Sequence, residues 1–222
     1  MRDLTGAVVL VVGASGALGQ LVARSLAGHG ARVVAAGRDR QRLEALEIEG
    51  ARTEVVDLRD PAFAEQLLDR IGDGLVGTVY AAGVVGFGPV GEVDDDDVDE
   101  LLLINFLAPS RLVRAALPRL PRGGFAATIS AVVAEAPPAR MAHYAASKAA
   151  MTAFDTSVRL EARRSKITIM DLRPPHTETG LVTRAITGEP PKLPPGLHPQ
   201  AVADRIVTAV LDDEPDVAST AF

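Results

Sequence analysis

Cysteine is absent from the 222 residues, which excludes disulfides, thiolate catalysis and Cys-based zinc sites. Tryptophan is absent too, and with only two Tyr and six Phe the chain has no stacking platform for bases or sugars. Lysine is scarce. Of 23 basic residues only Lys148, Lys166 and Lys192 are lysine, and the arginines are scattered, so no basic patch for a phosphate backbone is present. The formal net charge of −6 points the same way, and no nucleic-acid partner is expected. The four histidines (His29, His143, His176, His198) show no short metal-ligand spacing, and no metal is expected. No apolar run approaches the ~18 residues of a membrane span, so no membrane partner is expected. Met1-Arg-Asp-Leu-Thr-Gly leads straight into a strand-like segment rather than a leader peptide. A cytoplasmic protein is expected.

What is present is an alternation of short apolar runs with longer amphipathic ones. The runs Ala7–Val12, Arg32–Ala36, Thr53–Val56, Leu75–Ala82, Phe125–Ile129 and Ile167–Leu172 read as strands, and Asp216–Thr220 as a short seventh. Between them Ala17–His29, Asp39–Leu46, Pro61–Ile71, Asn105–Leu120, Ala142–Arg163 and Ala201–Leu211 read as helices. Asp60 is the expected cap of the third, with Pro61 at its first position. Strands apolar on both faces and separated by helices imply a parallel sheet covered on both sides. The expected fold class is α/β: one doubly wound, Rossmann-like sheet of six to seven strands, residues 1–222 forming a single domain. The acidic run Glu92–Glu100 suits a helix start, where the dipole favours negative charge, and not a metal site, because adjacent carboxylates point to different faces. The proline cluster within Thr187–Pro199 reads as a loop.

Between the first strand and first helix lies Val12-Gly13-Ala14-Ser15-Gly16-Ala17-Leu18-Gly19. Gly13 can leave the strand at an angle other residues resist, Gly16 can let the main chain approach a pyrophosphate, and Gly19 allows close helix-on-strand packing. The context of strand, glycines and helix is that of a dinucleotide cradle. An NAD site places Asp or Glu at the end of the second strand, against the ribose 2′-hydroxyl. Here Ala35-Ala36-Gly37-Arg38 offers no carboxylate until Asp39, and Arg38 can clamp a 2′-phosphate, so NADP(H) is expected over NAD(H). On the sixth helix Tyr144-Ala-Ala-Ser-Lys148 puts a phenol and an ammonium on one face. A nearby cation favours phenolate, which makes the pair a general acid–base for a carbonyl or alcohol oxygen.

With these motifs the chain resembles the short-chain dehydrogenase/reductase family along essentially its whole length. The resemblance implies that Gly13 to Gly19, with Ser15, Ala17 and Leu18, cradle the cofactor, and that Asp57 and Leu58 after strand three meet the adenine. It matches the family's Asn-Asn-Ala-Gly to Tyr80-Ala81-Ala82-Gly83, and its relay asparagine to Asn105. Tyr144 and Lys148 match the catalytic pair, Lys148 also bonding the nicotinamide ribose. Pro174-Pro175-His176-Thr177-Glu178-Thr179 matches the segment touching the nicotinamide, with Pro174, Thr177 and Thr179 in contact, and the proline-rich stretch falls where the family keeps its substrate lid.

The departures are definite. The family's catalytic serine lies 13 residues before the tyrosine, which here is Ala131, while Ser130 lies 14 before. Either a local bulge brings Ser130 into the site or the substrate-orienting hydroxyl is missing. Tyr80 replaces an asparagine, Pro175 a glycine, and Gly16-Ala17 stands where the family often has its glycine one place later. The expected activity is NADP(H)-dependent interconversion of a carbonyl and a secondary alcohol, with Tyr144, Lys148, Asn105 and Ser130 as the catalytic set. The alternative is a non-catalytic dinucleotide-binding sensor or scaffold of the same fold. Expected partners are a small carbonyl or alcohol substrate, apolar to judge by Met141 and Leu181, and further copies of the chain in a homodimer or homotetramer.

Overall fold

A computed structural model describes residues 1–222. Seven parallel strands form one sheet: β1 (Val8–Val12), β2 (Arg32–Gly37), β3 (Arg52–Val55), β4 (Leu75–Tyr80), β5 (Phe125–Ile129), β6 (Thr168–Leu172) and β7 (Asp216–Val217). Their order is β3-β2-β1-β4-β5-β6-β7. Both faces are covered, and the alternation of the strands shows how. Val9 and Val11 point into a core of 25 buried residues shared with α1 (Ala17–Gly28) and α7 (Pro199–Asp212). Leu10 and Val12 point into a second core of 24, shared with α3 (Phe63–Ile71), α5 (Ala108–Ala116) and α6 (Ala142–Ala162). A strand buried on both sides has no polar alternation to show, hence the continuous apolar runs of the sequence.

The chain leaves β1 for β2 on one side and returns to β4 on the other, so the topological switch lies between β1 and β4. Open α/β sheets bind ligands in the crevice outside the carboxyl ends of strands at such a point. The glycine loop after β1 and the segment 81–84 after β4 flank that crevice.

The order of elements follows the sequence reading, while boundaries shift, most notably at three helices. The third helix begins at Phe63, not Pro61; Asp60 accepts a bond from the Ala62 amide at 2.8 Å in the turn before it. α2 is short (Arg40–Glu44), with Asp39 as its cap. The largest difference is at the expected Asn105–Leu120 helix. α4 starts ten residues earlier, at Asp95, in the acidic run, and continues through a π turn at Leu103–Leu107 into α5. Asn105 is therefore not a helix start but the centre of a π turn. The short seventh strand is present as β7.

Candidate active site

The crevice opens into a cleft of about 700 Å³. Its lining carries most of the expected cofactor residues: Gly13, Ser15, Gly16, Ala17, Leu18, Arg38, Leu58, Ala81, Ala82, Gly83, Pro174, Thr177 and Thr179, with Tyr144, Lys148 and Ser130. Gly13 has φ +86°, and a Cβ there would lie 2.5 Å from the Ala82 amide nitrogen; one on Gly19 would lie 2.1 Å from the Gly13 carbonyl. These two glycines close the loop against its own protein. Gly16, the N-cap of α1, is different: a Cβ there would meet only the Gly13 oxygen, at 3.2 Å. Its free face looks into the cleft at the positive end of a 12-residue helix, so the cradle fits a pyrophosphate.

At the rim by β2, Arg38 and Arg42 both line the cleft. Asp39 lines the cleft too, with its carboxylate engaged within α2. Its carboxylate accepts the Arg42 amide at 3.1 Å as the cap of α2, and the Arg42 guanidinium lies 3.9 Å away. Asp57 sits just outside the cleft in its own turn, accepting the Arg59 amide at 3.0 Å, and Arg59 reaches the lining instead.

α6 delivers Tyr144 and Lys148 to the floor. Both side chains are buried, and the Lys148 Nζ donates to the Ile129 carbonyl at 2.9 Å. Burial pushes the Tyr144 phenol up to about 12. Burial pushes the Lys148 ammonium down to about 8, partly opposed by the negative charge of Asp171. With the ammonium held on the Ile129 carbonyl, burial sets the direction of the phenol's shift, contrary to what spacing alone suggests. At neutral pH the pair is a neutral phenol beside an ammonium.

Ser130 also touches the cleft, and its hydroxyl is committed. It donates to the Asp171 carboxylate at 2.6 Å, and the Thr152 hydroxyl lies 3.4 Å behind it. No bulge turns it toward Tyr144. The β5–β6 register runs unbroken from Phe125–Thr168 to Ile129–Leu172, the Ser130 amide continues it onto Leu172, and Ala131 is extended. Alternation then places Ser130 on the side of Thr128, whose hydroxyl bonds Asp155, and Ala131 in the apolar cluster that contains Tyr144. Asp155 and Asp171 are fully buried. Asp171 is paired with Arg173 at 2.5 Å, while burial pushes the Asp155 carboxyl well above its ordinary value.

Asn105 does not reach the cleft. Its amide is fully used by protein groups: Oδ1 accepts the Val84 amide at 3.1 Å, and Nδ2 donates to the Val84 carbonyl at 2.9 Å and to the Ser147 hydroxyl at 3.0 Å.

The comparisons with known proteins agree with this fold. A family model described as short chain dehydrogenase matches residues 7–189. The chain belongs to the short-chain dehydrogenase family. Its identity to individual relatives is modest. It is 29% identical over 97% of its length to a protein of Drosophila melanogaster described as dehydrogenase/reductase SDR family protein 7-like, of which 73% is covered. It is 27% identical over 95% of its length to a fatty acyl-CoA reductase of Acinetobacter baylyi, of which 75% is covered. Among solved structures, a short-chain dehydrogenase from Sphingobium yanoikuyae in complex with NADPH is 26% identical, with TM-score 0.87, covering 96% of this chain and 87% of that one.

The dehydrogenase lines the far end of its cleft with aliphatic side chains: Val85, Val132, Val133, Leu181, Ile186 and Leu193, beside Met141. Sequence reasoning names only Met141 and Leu181. A signal for the others exists, since they lie just past the C-terminal ends of strands or in the segment after β6, where this fold keeps its ligands.

Proposed function

We propose that this dehydrogenase uses NADP(H) to interconvert a carbonyl and a secondary alcohol on an apolar, aliphatic substrate. The observation that carries the reading is the Tyr144–Lys148 pair on the floor of a cleft whose one end is a pyrophosphate cradle and whose other end is aliphatic. The 2′-phosphate would meet Arg38 and Arg42, the pyrophosphate the N-terminus of α1, and the nicotinamide end Thr177 and Thr179. NADPH, when bound, supplies the hydride.

In reduction Tyr144 donates its phenolic proton to the substrate oxygen. The high pKa of the buried phenol keeps that proton in place at neutral pH, and Lys148, one helical turn on, carries the positive charge that stabilises the phenolate formed. Ala131 leaves the substrate oxygen without the family's serine donor, and Ser130 stays on Asp171. Substrate binding then rests on burial, at ~0.8 kcal/mol per methylene, and affinity should rise along an aliphatic series. The NADPH-bound relative from Sphingobium yanoikuyae supports the cofactor assignment, and the acyl-CoA reductase relative an aliphatic substrate.

The test is NADPH oxidation against a panel of aldehydes and ketones of increasing chain length. Tyr144→Phe keeps the ring and should retain NADPH affinity while turnover drops by ~10²–10⁴-fold, the usual contribution of a general acid. Ser130→Ala should leave turnover within about threefold, because no hydrogen bond to the reacting oxygen is lost. Unchanged turnover in Tyr144→Phe would sink the mechanism. NADPH binding with no turnover of any carbonyl would instead favour a dinucleotide-binding protein.

A further inference from the structure

The π turn at Leu103–Leu107 needs a partner from outside the helix, and the sequence supplies one. The Ala108 amide bonds to the Leu103 carbonyl, one residue further than an α-helix would reach. In that register the donor to the Ile104 carbonyl would be residue 109, and Pro109 has no N–H to give. The Tyr80 hydroxyl, at the end of β4, donates to that carbonyl at 2.8 Å. Tyr80 is fully buried, and burial pushes its phenol far above the ordinary range, so it keeps the proton it donates. A carbonyl buried without a partner is costly, and the helix can relieve the cost by losing the extra residue of the π turn, which would bring the Ala108 amide onto Ile104. Losing it would rotate Asn105 by about one residue's turn, ~100°. Asn105 would then leave Val84 and Ser147.

What depends on Asn105 is the alignment of the two halves of the site. Through Val84 it holds the loop after β4, which lines the cofactor cleft. Through Ser147, whose hydroxyl donates to the Tyr144 carbonyl at 2.7 Å, it holds the catalytic turn of α6. Gly83 sits between them: a Cβ there would lie 3.3 Å from Asn105 Oδ1 and 3.5 Å from Lys148 Nζ, so the loop and the turn are in close register. We propose that Tyr80 is a positioning residue, whose hydroxyl locks the Pro109 π turn and so keeps Tyr144 and Lys148 in register with the cofactor loop.

The experiment compares Tyr80→Phe with the unaltered protein by amide hydrogen exchange at Val84 and across residues 144–148, and by steady-state reduction of a carbonyl with NADPH. Tyr80→Phe keeps the buried ring and loses only the donor. Exchange at Val84 and in 144–148 should accelerate on the order of tenfold, the size of a lost buried hydrogen bond, while the β1 amides are unchanged. kcat should fall by a similar factor with KM for the carbonyl unchanged. Adding Pro109→Ala supplies an N–H in reach of the Ile104 carbonyl and should return exchange and kcat to within about threefold; it also restores folding if Tyr80→Phe alone is unstable. Unchanged exchange at Val84, acceleration there with unchanged kcat, or failure of Pro109→Ala to rescue would each overturn the proposal. If the unaltered protein turns over no carbonyl, the proposed function fails, and the exchange of residues 144–148 alone decides whether Tyr80 holds the turn.

Discussion

Lys148 has the side chain whose charge state the fold changes most usefully. Its ammonium is buried, and the loss of solvation pushes it down to about 8, against the partial support of Asp171. Tyr144, pushed up to about 12, holds its proton throughout the physiological range. In the reductive direction the required state is phenol plus ammonium. Raising the pH removes the ammonium first, so reductive turnover should be flat below about 8 and fall as the pH passes through that value. A pH profile of kcat at saturating NADPH and carbonyl checks this. A limb that instead falls toward low pH would mean that the neutral amine is the working form. Behind the site, Asp171 is held by Arg173, which also grips Glu135 at 2.5 Å and Asp216 at 2.9 Å. That anchorage is why Ser130, its hydroxyl committed to Asp171, is expected to leave turnover little changed when replaced.

At the scale of elements, the junction of β2 and α2 decides which dinucleotide fits. The strand ends on Gly37 with no acid, and at the rim of the cleft Asp39 is held as the cap of the short α2, beside Arg38 and Arg42. NADPH should bind at least about tenfold tighter than NADH at one fixed salt concentration, equivalent to ~1.4 kcal/mol. Arg38→Ala should remove most of that preference by weakening NADPH and leaving NADH unchanged. Calorimetric titration of both dinucleotides into both proteins measures it, and equal affinities in the unaltered chain would defeat the idea. This junction is legible in the sequence, as are the glycine loop and the Tyr–Lys pair, because each is local: a strand end, a turn and one helix face. The α4–α5 region is not. Asp94 to Asp97 dilute the apolar period of α4, and the π turn shifts the register of α5, so periodicity finds a helix only after the shift. In sequence Tyr80 is a departure from a family motif. Its reason, the carbonyl of Ile104 left bare by Pro109, lies 24 residues away along the chain and shows only in three dimensions. Ser130 likewise escapes assignment from spacing, since whether a bulge interrupts the end of β5 is settled by its pairing with β6.

At the scale of the whole molecule, the outer surface of α6 and the π turn before α5 exposes apolar and small side chains. Leu107 and Leu160 are 39% and 57% exposed. Phe106 and Phe154 meet edge to face with centroids 6.2 Å apart at the junction of the two helices. Along α6, Ala146, Ala150, Ala153, Ser157 and Leu160 recur at helical spacing, a stripe of small residues on which another helix can pack closely. A two-fold interface brings the same stripe from both copies together, the commonest arrangement of soluble oligomers. We therefore expect a homodimer through this face, of twice the chain's 23.2 kDa. Ala153→Arg should split it, because a guanidinium in the stripe would be duplicated at the two-fold axis and would separate the helices. Light scattering at micromolar concentration distinguishes the outcomes. A monomer in the unaltered protein, or a dimer undisturbed by Ala153→Arg, would place the association elsewhere or nowhere. Because α6 carries Tyr144 and Lys148 on its inner face, the dimer would also stiffen the helix that presents them, and Ala153→Arg should lower kcat while leaving the NADPH cradle on the far side of the sheet switch intact.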